Sequence, residues 1–212
     1  AFAITMSILF TQVTLANKRL EGTIGMASNV IASADPENMH RATTATTAVD
    51  MLQAWSDVVH EDLGDDPEIS SRIFNDLGES FIGFDRYDLA QKHLEEAYFS
   101  LTEQEQGSSV EAARALHNLG RIAYKRGRWE KAEGFFQDSL AIRRQQLGAS
   151  HQDIADSLHH LGSTYRHLGK SSDAERSMRQ SLAMYEQLLE GAEPAEATRI
   201  QEATCNVLNG LG

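Results

Sequence analysis

The sequence is poor in the residues that staple or sharply bend a chain. One cysteine, Cys205, in 212 residues excludes an internal disulfide framework and any zinc site built on paired thiolates. Three prolines argue against an all-β domain rich in tight turns and leave long stretches free to be helical. Lys and Arg are also scarce, 19 against 31 Asp and Glu, and the net charge of −12 disfavours wholesale nucleic-acid binding. There is no Gly-rich phosphate loop, no His-Glu-x-x-His and no nucleophile elbow, so the sequence points to no enzyme and to no cofactor. What it does have is a globular share of apolar residues, 41%, which is enough for a sizeable core.

The charge is unevenly spread. Residues 1–112 hold 6 basic and 19 acidic side chains, residues 113–170 hold 10 and 5, and residues 171–212 hold 3 and 7. A basic middle therefore lies between two acidic ends.

A repeat accounts for most of the chain. Leu77-Gly78, Leu119-Gly120 and Leu161-Gly162 follow one another at 42 residues, as do Ala48, Ala90, Ala132 and Ala174. Arg114-Ala-Leu-His-Asn-Leu-Gly120 aligns without a gap on Asp156-Ser-Leu-His-His-Leu-Gly162. Within a unit, Leu116, Leu119 and Ala123 form one helical stripe, Gly127 interrupts, and Trp129, Ala132, Phe136 and Leu140 start a second. Each unit thus reads as a helix, a turn and an antiparallel helix, whose apolar stripes are buried only when successive pairs stack. The glycine inside the first helix costs about 1 kcal/mol against alanine. Its recurrence implies a close helix approach, with small Ala132 expected on the opposite side. Turns are expected near 64–67, 84–87, 106–109, 127–129, 148–151, 169–172 and 191–194.

These residues resemble tetratricopeptide repeats: Leu116, Leu119-Gly120, Tyr124, Gly127, Trp129, Ala132 and Phe136, then Leu158, Leu161-Gly162, Tyr165, Gly169, Ala174 and Met178. A looser unit has Phe74, Leu77-Gly78, Phe81, Tyr87, Ala90 and Leu94, with Asp85 in place of the turn glycine. The 42-residue period and the join Leu147-Gly-Ala-Ser-His-Gln-Asp-Ile154 are similar to the kinesin light chain subtype. The resemblance implies an all-α, right-handed superhelical solenoid of antiparallel helix pairs. The expected layout is an N-terminal amphipathic helix at 1–37 and a repeat domain at 38–212. That domain divides into a degenerate opening pair at 38–66, repeats at about 68–106, 109–148 and 151–190, and a terminal helix at 194–209. The terminal helix is either a cap or half of a further repeat, and Cys205 is expected on its buried stripe.

The N-terminal run Ala1–Asn17 carries no charged side chain and precedes Lys18-Arg19, with apolar residues from Phe2 to Ile31 at steps of three and four. Three readings compete. The helix packs on the first repeat or pairs with a second copy, making a homo-oligomer; it continues a transmembrane helix, giving membrane contact through residues 1–17; or it is a signal-peptide remnant. Because the chain begins at Ala1 rather than Met, a removed upstream segment is expected. An anchor followed by Lys18-Arg19 favours a cytoplasmic repeat domain.

Two equivalent histidines, His117 and His159, do not make a metal site, and adjacent His159 and His160 diverge by roughly 100° on a helix. Outside the packing stripe, Arg114, His117, Asn118, Arg121 and Lys125 share one face, with Tyr124 beside it. One period on stand Asp156, His159, His160, Ser163, Arg166 and His167; one period back, Arg72, Asn75, Asp76, Glu79 and Gly83. The resemblance implies that first helices line a concave groove that receives peptide segments. The expected partner is therefore a protein or peptide, acidic in character, and the expected contacts are Arg114, His117, Asn118, Arg121, Tyr124, Lys125, His159, His160, Ser163, Arg166 and His167. The four groove histidines are expected to strengthen acidic binding between pH 7.5 and 6. The alternative is a regulatory or sensor and assembly domain of a larger, membrane-anchored signalling or effector protein.

Overall fold

The structure is a computed structural model that describes residues 49–50, 52–57, 59, 67–190 and 192–211. It divides into two compact units, residues 1–65 and 66–212. In the first unit the described residues are helical and bury Val49, Ser56 and Val59. The amphipathic helix expected over 1–37, most of the opening pair and the turn at 64–66 lie outside the described residues.

The second unit is an all-α solenoid. Its helices are α1 (Pro67–Gly83), α2 (Tyr87–Glu103), α3 (Val110–Lys125), α4 (Trp129–Gln146), α5 (Gln152–His167), α6 (Ser171–Leu189) and α7 (Pro194–Leu211). They pack as the pairs α1–α2, α3–α4 and α5–α6, each second helix lies on the next first helix, and α7 packs on α6. No strand occurs among the described residues, and no described helix is long and apolar enough to cross a membrane.

Local chemistry sets the boundaries. Ser109 caps α3 by accepting from the Ala112 amide at 3.1 Å, and His151 Nδ1 caps α5 by accepting from Asp153 N at 3.1 Å. Capping side chains of this kind satisfy amides that the first turn leaves without partners. The three intra-pair turns are one motif repeated: Arg86 N reaches Phe81 O, Arg128 N reaches Ala123 O and Lys170 N reaches Tyr165 O. That wrap needs a left-handed residue, and Asp85, Gly127 and Gly169 supply it with φ of 56°, 69° and 70°. Asp85 thus takes the conformation of the glycine that it replaces.

The recurrent Leu-Gly is a packing device. Leu77, Leu119 and Leu161 are buried in equivalent places. A Cβ on Gly78 would lie 2.5 Å from Leu94, on Gly120 2.7 Å from Phe136, and on Gly162 2.6 Å from Met178. The bulky second-helix residue makes the nearest contacts in each pair, and at Gly162 the Ala174 carbonyl at 3.2 Å, equivalent to that of Ala132, also crowds the site. Buried hydroxyls add a repeated bond, Ser139 Oγ to Ala113 O at 2.7 Å and Ser181 Oγ to Ala155 O at 2.8 Å.

On α7 the packed stripe is buried Ile200 and Val207 with partly buried Ala203 between them, at steps of three and four. Cys205 was expected on it but is exposed. It stands two positions before Val207, and on a helix that step of about 200° turns its thiol to the far side.

Candidate functional site

The first helices α1, α3 and α5 pack side by side, so residues at one helical register are brought together across three repeats. Arg72, Arg114 and Asp156 occupy one such register. Asn75, His117 and His159 occupy the next, followed by Asp76, Asn118 and His160, and then by Glu79, Arg121 and Ser163.

Between α1 and α3 this face is an ion-pair network. Arg114 grips Glu79 with two prongs, Nε to Oε1 at 3.0 Å and Nη2 to Oε2 at 2.8 Å, and bonds Asp76 Oδ1 at 2.6 Å. Asn118 Nδ2 donates to Glu79 Oε1 at 2.9 Å, and Arg121 Nη1 donates to Asn118 Oδ1 at 3.0 Å. Asn75, fully buried, donates to the Glu111 carbonyl and to its Oε2 at 3.0 and 3.2 Å. Burial works against the Glu79 charge, yet the Arg114 and Asn118 hydrogen bonds hold its carboxyl below the usual range. Reciprocally, the Glu79 hydrogen bond raises the Arg114 pKa. Arg114 is therefore occupied inside the protein. Arg121 differs: it has no carboxylate at ion-pair distance among the described residues.

Between α3 and α5 the face is a histidine cluster over a buried cation. Arg143 of α4 is 4% exposed and reaches under the face, where its Nη1 donates to Asp153 O at 2.7 Å and Ser157 Oγ at 2.8 Å and lies 3.2 Å from His117 Nδ1. Nη1 has two hydrogens, and the two nearer acceptors are placed to take them. No carboxylate lies at ion-pair distance from Arg143 among the described residues, and its buried Nε has no partner. The His117 ring meets His160 edge-on at 4.9 Å and Phe136 at 5.3 Å. His160 Nδ1 donates to Asp156 O at 2.9 Å. Burial drives His117 well below the ordinary histidine value, His160 to about 4 and His159 downward. Burial thus works against the pH-dependent attraction expected of these histidines, most strongly at His117 and His160 and in the same direction at His159. Nearby, Asp156 accepts from the Tyr185 hydroxyl, and burial raises its carboxyl pKa despite that bond.

At the turn end the face becomes aromatic. The Trp129 ring stacks on His167 at 4.0 Å, Tyr124 stands edge-on to both, and the Tyr124 hydroxyl lies 3.0 Å from His167 Nε2. Tyr124, Ser163, Arg166 and His167 line a cleft of about 260 Å³. Arg166 Nη1 donates to Gly210 O of α7 at 2.8 Å, and Lys125 is exposed beside the cleft at the end of α3.

The structure thus groups the expected residues as Arg114, Asn118 and Arg121; as His117, His159 and His160; and as Tyr124, Ser163, Arg166 and His167, with Lys125 at the edge. The sequence reading did not foresee Asp76 and Glu79 as partners of Arg114, nor Arg143 or Trp129 as parts of this face. Arg143 did carry a signal, because its equivalents at 42 residues are Leu101 and Tyr185, both buried. No group of three His, Cys, Asp or Glu able to hold a metal occurs among the described residues.

Residues 111–187 match the tetratricopeptide repeat family model. No curated protein matches the sequence. Among solved structures, BtubC from P. vanneervenii is similar over 90% of this chain and 84% of its own, with a TM-score of 0.60 and 21% identity. Nearly identical TPR-like repeats from Podosopora anserina, named for the kinesin light chain, are similar over 79% of this chain and 85% of theirs, with a TM-score of 0.57 and 18% identity. A variant of those repeats gives a TM-score of 0.61 at 17% identity, over 78% of each chain. The fold is that of a protein–protein interaction module. With the family match over residues 111–187, its stacked helix pairs and its 42-residue period, the chain contains tetratricopeptide repeats and is similar in fold to kinesin light chain-like repeats.

Proposed function

We propose that the protein is a non-enzymatic binding module that holds an acidic peptide or protein segment across the first-helix face of α1, α3 and α5. Arg121 carries this reading. It lies mid-face and half-buried, bonded to Asn118 Oδ1, with no carboxylate at ion-pair distance among the described residues. A guanidinium has five donors in a rigid fork matched to a carboxylate, so most of its capacity is open to a ligand. Arg114 is spent on Glu79 and Asp76 and acts by holding Asn118 and Arg121 in place. Lys125 adds positive charge at one end of the stripe. The ring cluster of Tyr124, Trp129 and His167 supplies flat area at little entropic cost.

The test is fluorescence anisotropy with labelled peptides of about a dozen residues, differing only in net charge, read at low and physiological salt. Acidic peptides should bind best and lose affinity with salt. Arg121→Glu should weaken them about tenfold or more, the scale of losing a charge-assisted pair, with circular dichroism and melting temperature unchanged. Equal binding of acidic and neutral peptides, or an Arg121→Glu variant that binds like the parent, refutes the assignment.

A further inference from the structure

The outer face, formed by the second helices, breaks the repeat symmetry in two places. Phe99 on α2 is 62% exposed, while its equivalents on α4 and α6 are Ala141 and Ala183. In the groove between α2 and α4 a small cleft of about 90 Å³ is lined by Phe135 together with Leu119 and Ile122 of α3. In the next groove, between α4 and α6, the equivalent of Phe135 is Ser177, and the rim carries Ala141 and Ala183. Two clefts of about 400 and 710 Å³ open there, sharing Arg144, Leu158 and Gln180. Leu158 at the floor is itself covered, and the exposed lining is the rim at Ala141, Arg144, Gln180 and Ala183. One copy of the chain therefore displays an aromatic knob on α2 and a hole of missing aromatic volume between α4 and α6.

Charge favours the same match. Phe99 stands between exposed Glu95 and Glu103, one helical turn to either side. Arg144, exposed where the two clefts meet, has no carboxylate at ion-pair distance among the described residues, whereas neighbouring Arg176 and Arg179 are paired with Asp173 and Glu175. We propose that the groove between α4 and α6 docks α2 of a second copy of this chain, with Phe99 between Ala141 and Ala183 and against the partly buried Met184, and with Glu95 or Glu103 meeting Arg144. Knob and hole are different surfaces of one chain, so the contact is heterologous and leaves a free knob at one end and a free hole at the other. Copies join head to tail and growth depends on concentration. The contact lies on the face opposite the proposed peptide site, so both can be occupied together.

The experiment is sedimentation velocity on the full chain across a hundredfold concentration range. Wild type should gain mass steadily with concentration above its smallest species. Phe99→Ser removes the knob, and Ala141→Glu, at an exposed rim position, fills the hole and repels Glu95 and Glu103. Either should weaken the growth about tenfold or more, the scale of losing a buried aromatic anchor. Mixing the two variants restores one intact knob and one intact hole, and should give a one-to-one pair that grows no further. Ser177→Phe, which restores the residue type of the groove between α2 and α4, should also stop growth. Wild type that shows no growth, growth that persists in both single variants, or a mixture no heavier than its parts overturns the proposal.

Discussion

Gly120→Ala and Gly134→Ala make the same chemical change in adjacent helices of one repeat, and the structure predicts opposite outcomes. Each gains about 1 kcal/mol of helix propensity, because glycine carries the larger entropic loss on folding. At Gly134, inside α4, nothing lies within 4 Å of the new methyl, so the gain should survive. At Gly120 the methyl would sit 2.7, 2.8 and 3.0 Å from three atoms of the Phe136 ring. Phe136 is fully buried, so the ring has nowhere to retreat without moving its neighbours. Overpacking of this kind costs about 1–3 kcal/mol, which cancels or exceeds the propensity gain. The two variants should therefore differ by about 1–3 kcal/mol, with Gly134→Ala the more stable; for a chain of this size each kcal/mol is worth about 2–4 °C. Urea titration followed by circular dichroism at 222 nm measures the gap. Adding Phe136→Ala to each background makes the cause specific. Its cost, about 3–5 kcal/mol alone, should fall by more than about 0.5 kcal/mol in the Gly120→Ala protein, since the clash goes with the ring. If Gly120→Ala matches Gly134→Ala, or the double variant is additive, the close approach is not what keeps glycine there.

Two further expectations concern the buried polar groups. His160, held at about 4 against about 6.5 unfolded, binds its proton more readily in the unfolded chain, so stability falls as pH drops from 6.5 towards 4. His117 and His159 act in the same direction, Asp156 in the opposite one, and Glu79 only at lower pH. Melting temperature should decline between pH 7 and 4.5, His160→Gln should flatten that slope by up to one proton, and an unchanged slope refutes the burial argument. At Arg143, truncation to alanine leaves a cavity and unpaired partners and should cost about 2–4 kcal/mol. Arg143→Leu, the residue type found at the equivalent Leu101, should recover at least half of that in chemical denaturation, because a desolvated cation is seldom a net gain. Equal losses for the two would show that the hydrogen bonds, not the filled volume, are what matters there.

The fold was legible because its period is written in residues with little freedom. Leu-Gly at 42 residues fixed the helix pairs, and Asp85 fell where the turn glycine belonged and took its left-handed conformation. The binding face was harder to read. Removing one apolar stripe and treating the remainder as solvated suits a helix with a single covered side. But α3 is packed by α1, α2, α4 and α5, and its buried residues run from Ala112 to Ala123 with few breaks. His117 and Asn118 therefore count as interior groups although they lie off the leucine stripe. Arg114 reached Glu79 and Asp76 through the offset between stacked first helices, 35 and 38 residues back, and no repeat alignment displays that offset. Cys205 failed for the opposite reason: α7 is covered on one narrow side, and a stripe drawn two residues too wide took in the wrong face.

Arg143 joins α4 to Ser157 and Asp153 of α5 by directional bonds and lies against His117 of α3. At the equivalent place between the first two repeats stands Leu101, an aliphatic side chain with no bond direction to keep. Apolar surfaces slide past one another at small cost, whereas a guanidinium fork tolerates little rotation before its acceptors are lost. Both joints are nonetheless held by guanidinium groups, but in different settings. The first and second pairs are tied by Arg114 to Glu79 and Asp76 and by Arg126 to Asp88 and Gln91, at the surface, where salt screens the attraction. The second and third pairs are tied by the enclosed Arg143, whose bonds added salt does not reach.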